Sequence, residues 1–271
     1  MTVNLHTHTY RCHHATETDR QYIQKAIEKG ITHMGFSDHT PYREPNGHEQ
    51  PHRVSMMDAP LYFQSLNALR EEYRDQITIY IGFEMEYYPE HFEKMLEVAT
   101  SLGAEYLILG QHYIHYGTEN ECASIKPNEK VEDLIWYVDS LIEAMQTGVF
   151  SYLAHPDLFN FVGDDRIYEE QMRRLCRAAV RYEMPLEINF LGIRDHRNYP
   201  TDRFWKIAGE EGCEVVFGCD AHKHRHAYDA ESLEVALRMV REYGLRYNPF
   251  PTMIHPVTKE KTSTCDSTKN T

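Results

Sequence analysis

Short apolar runs alternate with helix-patterned segments along nearly the whole chain, and this alternation limits the folds open to it. The runs are Val3–Leu5, Ile31–Phe36, Ile77–Phe83, Tyr106–Leu109, Phe150–Ala154, Leu186–Leu191 and Val215–Gly218. Between them, apolar residues recur at helical spacing over roughly 18–29, from Asp58 onward, from Pro89 to Gly103, and over 128–147, 167–182, 201–211 and 230–243. Strands alternating with helices predict a parallel sheet or barrel. No Pro/Gly/Ser linker breaks the alternation, so residues 1–256 read as one domain. Residues 257–271 are polar and Ser/Thr/Lys-rich and are expected to be a disordered tail. The polar stretch 40–57, with Pro41, Pro45, Gly47 and Pro51, is long for a simple connection and predicts a lid or pocket wall.

Most of the runs end in a metal-binding residue type. His6 and His8 close the first, His39 follows the second and Glu84 the third. His112 follows the fourth, His155 the fifth, and Asp220 with His222 the last. In parallel α/β folds the carboxyl ends of the strands share one face, and the active site lies there. Residues spread over more than 200 positions would therefore converge. His-x-His has period two, which points both rings to the same side of a strand. A carboxylate closing a run as apolar as Ile77–Phe83 is costly unless it is paired or metal-bound, and two oxygens let it bridge two ions. Each of these signals alone is more often a polar strand end than a ligand. Together, at one face, they predict a multinuclear metal site and a metal-dependent hydrolase. Because the candidates come from nearly every strand, a barrel fits better than an open sheet with one switch point. Asp38 is placed to orient a ligand or cap a loop, and His48 and His52 are candidates to line the pocket from the long loop.

Composition narrows the function further. The formal net charge of −14 leaves no overall basic footprint for nucleic acid. Bound cations would reverse the sign locally, so small phosphorylated molecules stay admissible. No run approaches the ~20 apolar residues that span a membrane, and no export signal is visible, which predicts a cytoplasmic protein with no membrane partner. The six cysteines form no CxxC pair and are expected to be reduced thiols.

The motifs His6-Thr-His8-Thr, Cys12-x-His14-Ala, Ser37-Asp-His39-Thr-Pro, Gly82-x-Glu84, Gly110-x-His112-Tyr, Ala154-His155-Pro-Asp and Gly218-x-Asp220-Ala-His222 resemble the PHP superfamily of polymerase and histidinol-phosphatase proteins. The Cys-x-His-Ala turn and the Ala-His-Pro-Asp-Leu-Phe stretch look most like its stand-alone histidinol-phosphate phosphatase branch. The resemblance implies a distorted (β/α)7, TIM-like barrel with its metal site at the C-terminal face of the strands. It also implies two to three divalent ions (Zn, Mn or Fe) and a small phosphorylated substrate, most simply histidinol phosphate. Carried over by position, His6, His8, Glu84 and Asp220 would hold one metal. Glu84, His112 and His155 would hold a second, and His14, His39 and His222 a third. Glu84 and Asp220 would be catalytic, and Arg194 in Gly-Ile-Arg194 would bind phosphate. Glu86 and Asp157, or the 40–57 loop, would meet the cationic end of the substrate. The chain departs from the family at Asn160, often basic there, and at Glu86, often Asp. The alternative is a PHP phosphoesterase acting on nucleotides or short oligonucleotides. A non-catalytic PHP-like binding domain is disfavoured because no proposed ligand is degenerate.

Overall fold

The computed structural model describes residues 1–44 and 47–257; residues 258–271, which make up nearly all of the expected tail, lie outside the described residues. Strand β1 (Val3–Asn4) leads through a 3₁₀ turn (Tyr10–Cys12) to helix α1 (Asp19–Glu28). The Gln21 side chain accepts from the Thr18 amide at 2.9 Å and caps that helix. β2 (His33–His39) and α2 (Ala59–Tyr73) follow, the latter with Pro60 in its first turn, where no amide is needed. β3 (Thr78–Met85), α3 (Phe92–Leu102) and β4 (Leu107–Leu109) come next. A hairpin that sequence patterning did not foresee, β5 (Tyr113–Ile114) with β6 (Cys122–Ala123), precedes α4 (Val131–Thr147). The rest is α5 (Asp165–Arg181), β7 (Leu186–Asn189), a short α6 (Phe190–Arg194), α7 (Asp202–Glu210), β8 (Glu214–Gly218), α8 (Ala230–Tyr243) and β9 (Arg246–Tyr247).

β1-β2-β3-β4 form one parallel sheet and β7-β8-β9 another. Residues 151–154 join them. The Ser151 and Ala154 amides donate to Leu107 O and Leu109 O at 2.8 Å. On the other side the Leu153 amide donates to Pro185 O and the Glu187 amide to Leu153 O, both at 2.9 Å. The expected strand Phe150–Ala154 thus pairs only through isolated bridges at Leu153. Pro185 opposite it has no amide to extend the ladder. At the far edges Thr7 bridges Ala221, with the His8 amide donating to Ala221 O at 3.0 Å. The parallel sheet is therefore curled, and its two ends meet just beyond β1 and β8.

Period-two alternation sorts the core into two parts. Leu107, Leu109, Leu153, Val215 and Phe217 pack outward in the large cluster shared with the helices. Val3, Leu5, Tyr106, Ile108, Tyr152, Ala154 and Val216 form a separate plug inside the curl. Tyr106 is fully buried there and satisfies its hydroxyl on Leu5 O at 2.8 Å. The expected strand Leu186–Leu191 stops at Asn189, whose side chain accepts from the Gly192 amide at 3.1 Å and turns the chain into α6. Arg194 therefore reaches the carboxyl face from a helix.

Candidate metal centre and cavity

Every residue proposed as a metal ligand lies in one connected cluster at the carboxyl ends of the strands. Glu84, second from the end of the apolar strand β3 with only Met85 after it, sits at the centre and is buried. Its Oε2 lies 3.5 Å from His6 Nε2, 3.5 Å from His8 Nε2 and 3.2 Å from His39 Nδ1. Its Oε1 lies 2.8 Å from His155 Nε2 and 3.3 Å from His112 Nε2. Asp220 Oδ1 lies 3.7 Å from His6 Nε2, 3.3 Å from His8 Nε2 and 3.2 Å from His222 Nδ1. His14, His39 and His222 offer ligand atoms within 4.8 Å of one another, as do His6, His8 and Glu84; so do His39, Glu84 and His112, and His6, His155 and Asp220. His14, not the adjacent His13, joins the cluster; its Nδ1 meets Cys12 O at 2.7 Å.

Local backbone aims two of these side chains. His155 (φ 30) and Asp220 (φ 44) occupy the left-handed region, which costs a non-glycine residue about 1–3 kcal/mol. Tyr152 and Ala154 face the inner plug, so strict alternation would turn His155 outward. The left-handed turn brings it back. Gly110 and Gly218 leave room for carboxylates: a Cβ at Gly110 would collide with the Glu84 carboxylate, and one at Gly218 with that of Glu187.

Behind the cluster stand three carboxylates that fix imidazoles from their far nitrogens. His6 Nδ1 meets Glu187 Oε1 at 2.8 Å, His8 Nδ1 meets Asp38 Oδ1 at 3.4 Å, and His112 Nδ1 meets Glu86 Oε1 at 3.3 Å. A carboxylate on one ring nitrogen holds the proton there and frees the other nitrogen to ligate. Asp38 also accepts from the Thr9 amide at 3.0 Å and the Thr9 hydroxyl at 2.5 Å. Glu187 was not singled out from the sequence. Its sequence signal is an acid inside the apolar run Leu186-Glu-Ile188, and a pattern of residues at strand ends does not include it.

Glu86 departs from the expectation of a substrate contact. It is buried, paired with the Arg53 guanidinium and bonded to His112, and it does not line the cavity. Arg53, contributed by the 40–57 loop, is the residue that commits it. Asp157 is also buried away from the cavity, accepting from the Thr201 amide at 2.6 Å. Asn160 donates to Ile125 O at 3.2 Å and ties the hairpin base to this segment.

The electrostatics call for positive charge at the centre. Burial opposes ionisation of Glu84, but His112, His6, His155 and His39 outweigh it and hold its carboxyl well below the usual range. Asp220 is likewise held down, against burial, by His6, His222 and His8. Burial disfavours a proton on His6, yet Glu187, Asp220 and Glu84 raise its pKa well above the usual value. At the open edge the sign reverses: burial, His222 and His8 push His14 down to about 4, leaving a neutral imidazole free to ligate.

The donor set fits divalent metal ions. Glu84 Oε2, Asp220 Oδ1 and His155 Nδ1 are buried with no hydrogen-bond partner among the described residues. Buried acceptors left unpaired this way are uncommon. The 3.2–3.7 Å spacings around the two carboxylate oxygens resemble those of neighbouring ligands on one ion, about 3.0–3.4 Å at bond lengths near 2.1 Å.

The cluster opens into a cavity of about 680 Å³, within the usual size range of small-molecule sites. Arg194, Arg197, Lys223 and Arg225 line it, a basic wall in an acidic chain. Arg194 donates to Asp229 at 3.1 Å, while its buried Nε lies 4.0 Å from Asp195 Oδ1 and has no hydrogen-bond partner among the described residues. Arg197 donates to the Tyr199 hydroxyl at 3.2 Å. Among the described residues no helix is long and apolar enough to cross a membrane.

The family model described as PHP domain matches residues 4–190. The histidinol-phosphatase of Bacillus subtilis (strain 168) is 32% identical over 260 residues, covering 83% of this chain and 96% of its own length. A Deinococcus radiodurans protein named probable histidinol-phosphatase is 27% identical over 226 residues, 80% of this chain and 85% of its own. The crystal structure of histidinol phosphate phosphatase from Lactococcus lactis, complexed with zinc, L-histidinol and phosphate, matches with a TM-score of 0.69 at 19% identity, covering 94% of this chain and 97% of that one. At that identity the likeness speaks for the fold.

Proposed function

The chain belongs to the PHP domain family, and on that premise we propose that it hydrolyses a small phosphate monoester, L-histidinol phosphate, to L-histidinol and phosphate with bound divalent metal ions. The observation that carries this reading is Glu84: one buried carboxylate whose two oxygens face five imidazoles at the floor of a basic-walled cavity. We read the curled sheet as a distorted (β/α)7 barrel, residues 1–256 as a single domain, and the site of action as the cytoplasm. No nucleic-acid partner is expected.

His6, His8, Glu84 and Asp220 would hold one ion, Glu84, His112 and His155 a second, and His14, His39 and His222 a third, drawn from Zn, Mn or Fe. Divalent ions held there supply an acidified water and positive charge for the phosphoryl oxygens. The chain's own residues supply the rest. Glu187, Asp38 and Glu86 keep protons on the far nitrogens of His6, His8 and His112, so that the near nitrogens face inward as donors. Asp220, held ionised, would present Oδ1 among these ligands, beside His6, His8 and His222. Arg194, oriented by Asp229, has an unbonded Nε for a phosphoryl oxygen; Arg197 adds charge beside it.

The test compares kcat/KM for L-histidinol phosphate, glycerol phosphate, a mononucleotide and a short single-stranded oligonucleotide at equal metal-loaded enzyme. Histidinol phosphate should lead glycerol phosphate by at least about tenfold, equivalent to ~1.4 kcal/mol of transition-state binding. Equal values would make it a broad phosphoesterase. A lead for either nucleic-acid substrate would overturn the assignment.

A further inference from the structure

The long connection between β2 and α2 is pinned where it passes the cavity. The Val54 amide donates to His39 O at 3.3 Å. The buried Arg53 guanidinium donates to Thr40 O at 3.3 Å and pairs with Glu86. His52, immediately before this anchor, is held in turn. Its ring stacks on Tyr113 of β5 (centroids 5.3 Å apart, planes at 25°) and meets His39 edge-on at 6.1 Å. It lines the cavity, and its Nε2 is shut off from solvent with no hydrogen-bond partner among the described residues. A polar atom fixed by packing, buried and unpaired at a cavity wall marks a place where a ligand completes the hydrogen bonding.

The topology indicates which part of a ligand this is. Arg194, Arg197, Lys223 and Arg225 follow β7 and β8, and their charge suits the phosphoryl group. His52 and Tyr113 follow β2 and β4, on the other half of the curl, and Ala123, Ile125 and Leu158 extend their wall with apolar surface. Among the described residues, His52, Tyr113, Ala123, Ile125 and Leu158 of that wall bring no carboxylate to a nitrogen-bearing leaving group. Glu86 is buried behind His112, and Asp157 faces Thr201. His52 Nε2 is the buried polar atom behind that wall left without a hydrogen-bond partner among the described residues.

Resting on histidinol phosphate as substrate, we infer that His52 is a specificity residue: its Nε2 accepts a hydrogen bond from an N–H of the substrate's organic part, which packs against Tyr113. A site built to bond a substrate N–H discriminates against analogues that lack it. His52→Phe keeps a stacking ring and removes the acceptor; His52→Gln keeps an acceptor at similar reach. The readouts are the ratio of kcat/KM for L-histidinol phosphate over glycerol phosphate, and L-histidinol affinity by calorimetry on metal-loaded protein. His52→Phe should lower the ratio about tenfold, mainly through KM for histidinol phosphate, and weaken L-histidinol binding by a similar factor. His52→Gln should recover part of both. An unchanged ratio, or unchanged L-histidinol affinity, overturns the assignment. If His52→Phe does not fold, His52→Ala is held to the same two readouts. A wild-type enzyme with no preference for histidinol phosphate would instead remove the functional reading on which the assignment rests; a preference that survives His52 substitution removes the assignment alone.

Discussion

Replacing Glu187 with glutamine probes the support behind the metal ligands without changing side-chain volume. Glu187 accepts from His6 Nδ1 at 2.8 Å through Oε1, and through Oε2 from the His155 amide at 3.2 Å and the Asn189 side-chain amide at 2.8 Å. A glutamine has one acceptor oxygen. If that oxygen keeps the His155 and Asn189 contacts, its NH2 faces His6 Nδ1. His6 must then carry its proton on Nε2, the nitrogen that faces Glu84 and Asp220. If the oxygen turns to His6 instead, the NH2 opposes two donors. Either way, restoring a ligating His6 leaves buried donors unmatched, at about 1–3 kcal/mol. That corresponds to a loss of about 5- to 150-fold in metal affinity, consistent with the 10- to 100-fold typical of such supporting residues. Competition with a chromophoric chelator measures the affinity, and ¹⁵N-detected NMR of the imidazoles reports the His6 tautomer. The fold should survive, and added metal should restore part of the activity. Wild-type metal affinity in Glu187→Gln, with His6 still protonated on Nδ1, would refute the reasoning. Glu187→Ala would leave the His6 and His155 donors without an acceptor and the Asn189 amide with Asp220 alone, at about 1–3 kcal/mol for each donor left unmatched.

Other substitutions separate the remaining parts of the site. Gly110→Ala drives a methyl into the Glu84 carboxylate, so kcat should fall by about 100-fold or more while far-UV circular dichroism stays native. Arg194→Met should leave metal content unchanged and lower kcat/KM by at least about tenfold; wild-type kinetics would remove its phosphate role. Asp229 caps α8 by accepting from the Ser232 amide at 3.0 Å, so Asp229→Ala should cost about 0.5–2 kcal/mol in urea melts at pH 7. Burial raises the Asp229 carboxyl, but bonds from Ser232 and Arg194 outweigh it and hold it below its usual value. Its contribution is therefore present above the unfolded pKa near 4 and lost as pH falls through the lower folded value. The gap between wild type and Asp229→Ala should narrow below pH 4 and stay constant from pH 5 to 7.

Much of the fold was legible because strand and helix periodicities are local and repeat. β8 (Glu214–Gly218) and α8 (Ala230–Tyr243) fall where the pattern put them. The misses have local causes. Phe190 and Leu191 continue an apolar run and so read as strand, whereas the Asn189 cap turns them into a helix. Residues 150–154 look like a strand in isolation, but Pro185 opposite them cuts the ladder to bridges. The β5–β6 hairpin is too short to show alternation. At the site, the residues at the strand ends were legible as ligand candidates, since imidazoles and acids stand out where an apolar run stops. Their supports were not. Glu187 and Arg53 act through partners 181 and 33 residues away in sequence, and only the folded chain brings those pairs together. The pairing of Glu86 with Arg53 was hidden for the same reason: Arg53 lies in a loop whose path the sequence did not specify.

Phosphate release from L-histidinol phosphate, followed as chelator-stripped protein is titrated with Zn²⁺, Mn²⁺ or Fe²⁺, tests metal-dependent hydrolysis most directly. Stripped protein should be inactive. Activity should rise with bound metal and reach its plateau only once about two to three equivalents are held, two being the least that a shared Glu84 and a paired-ion mechanism require. Full activity in protein that elemental analysis shows to hold less than one equivalent would contradict it.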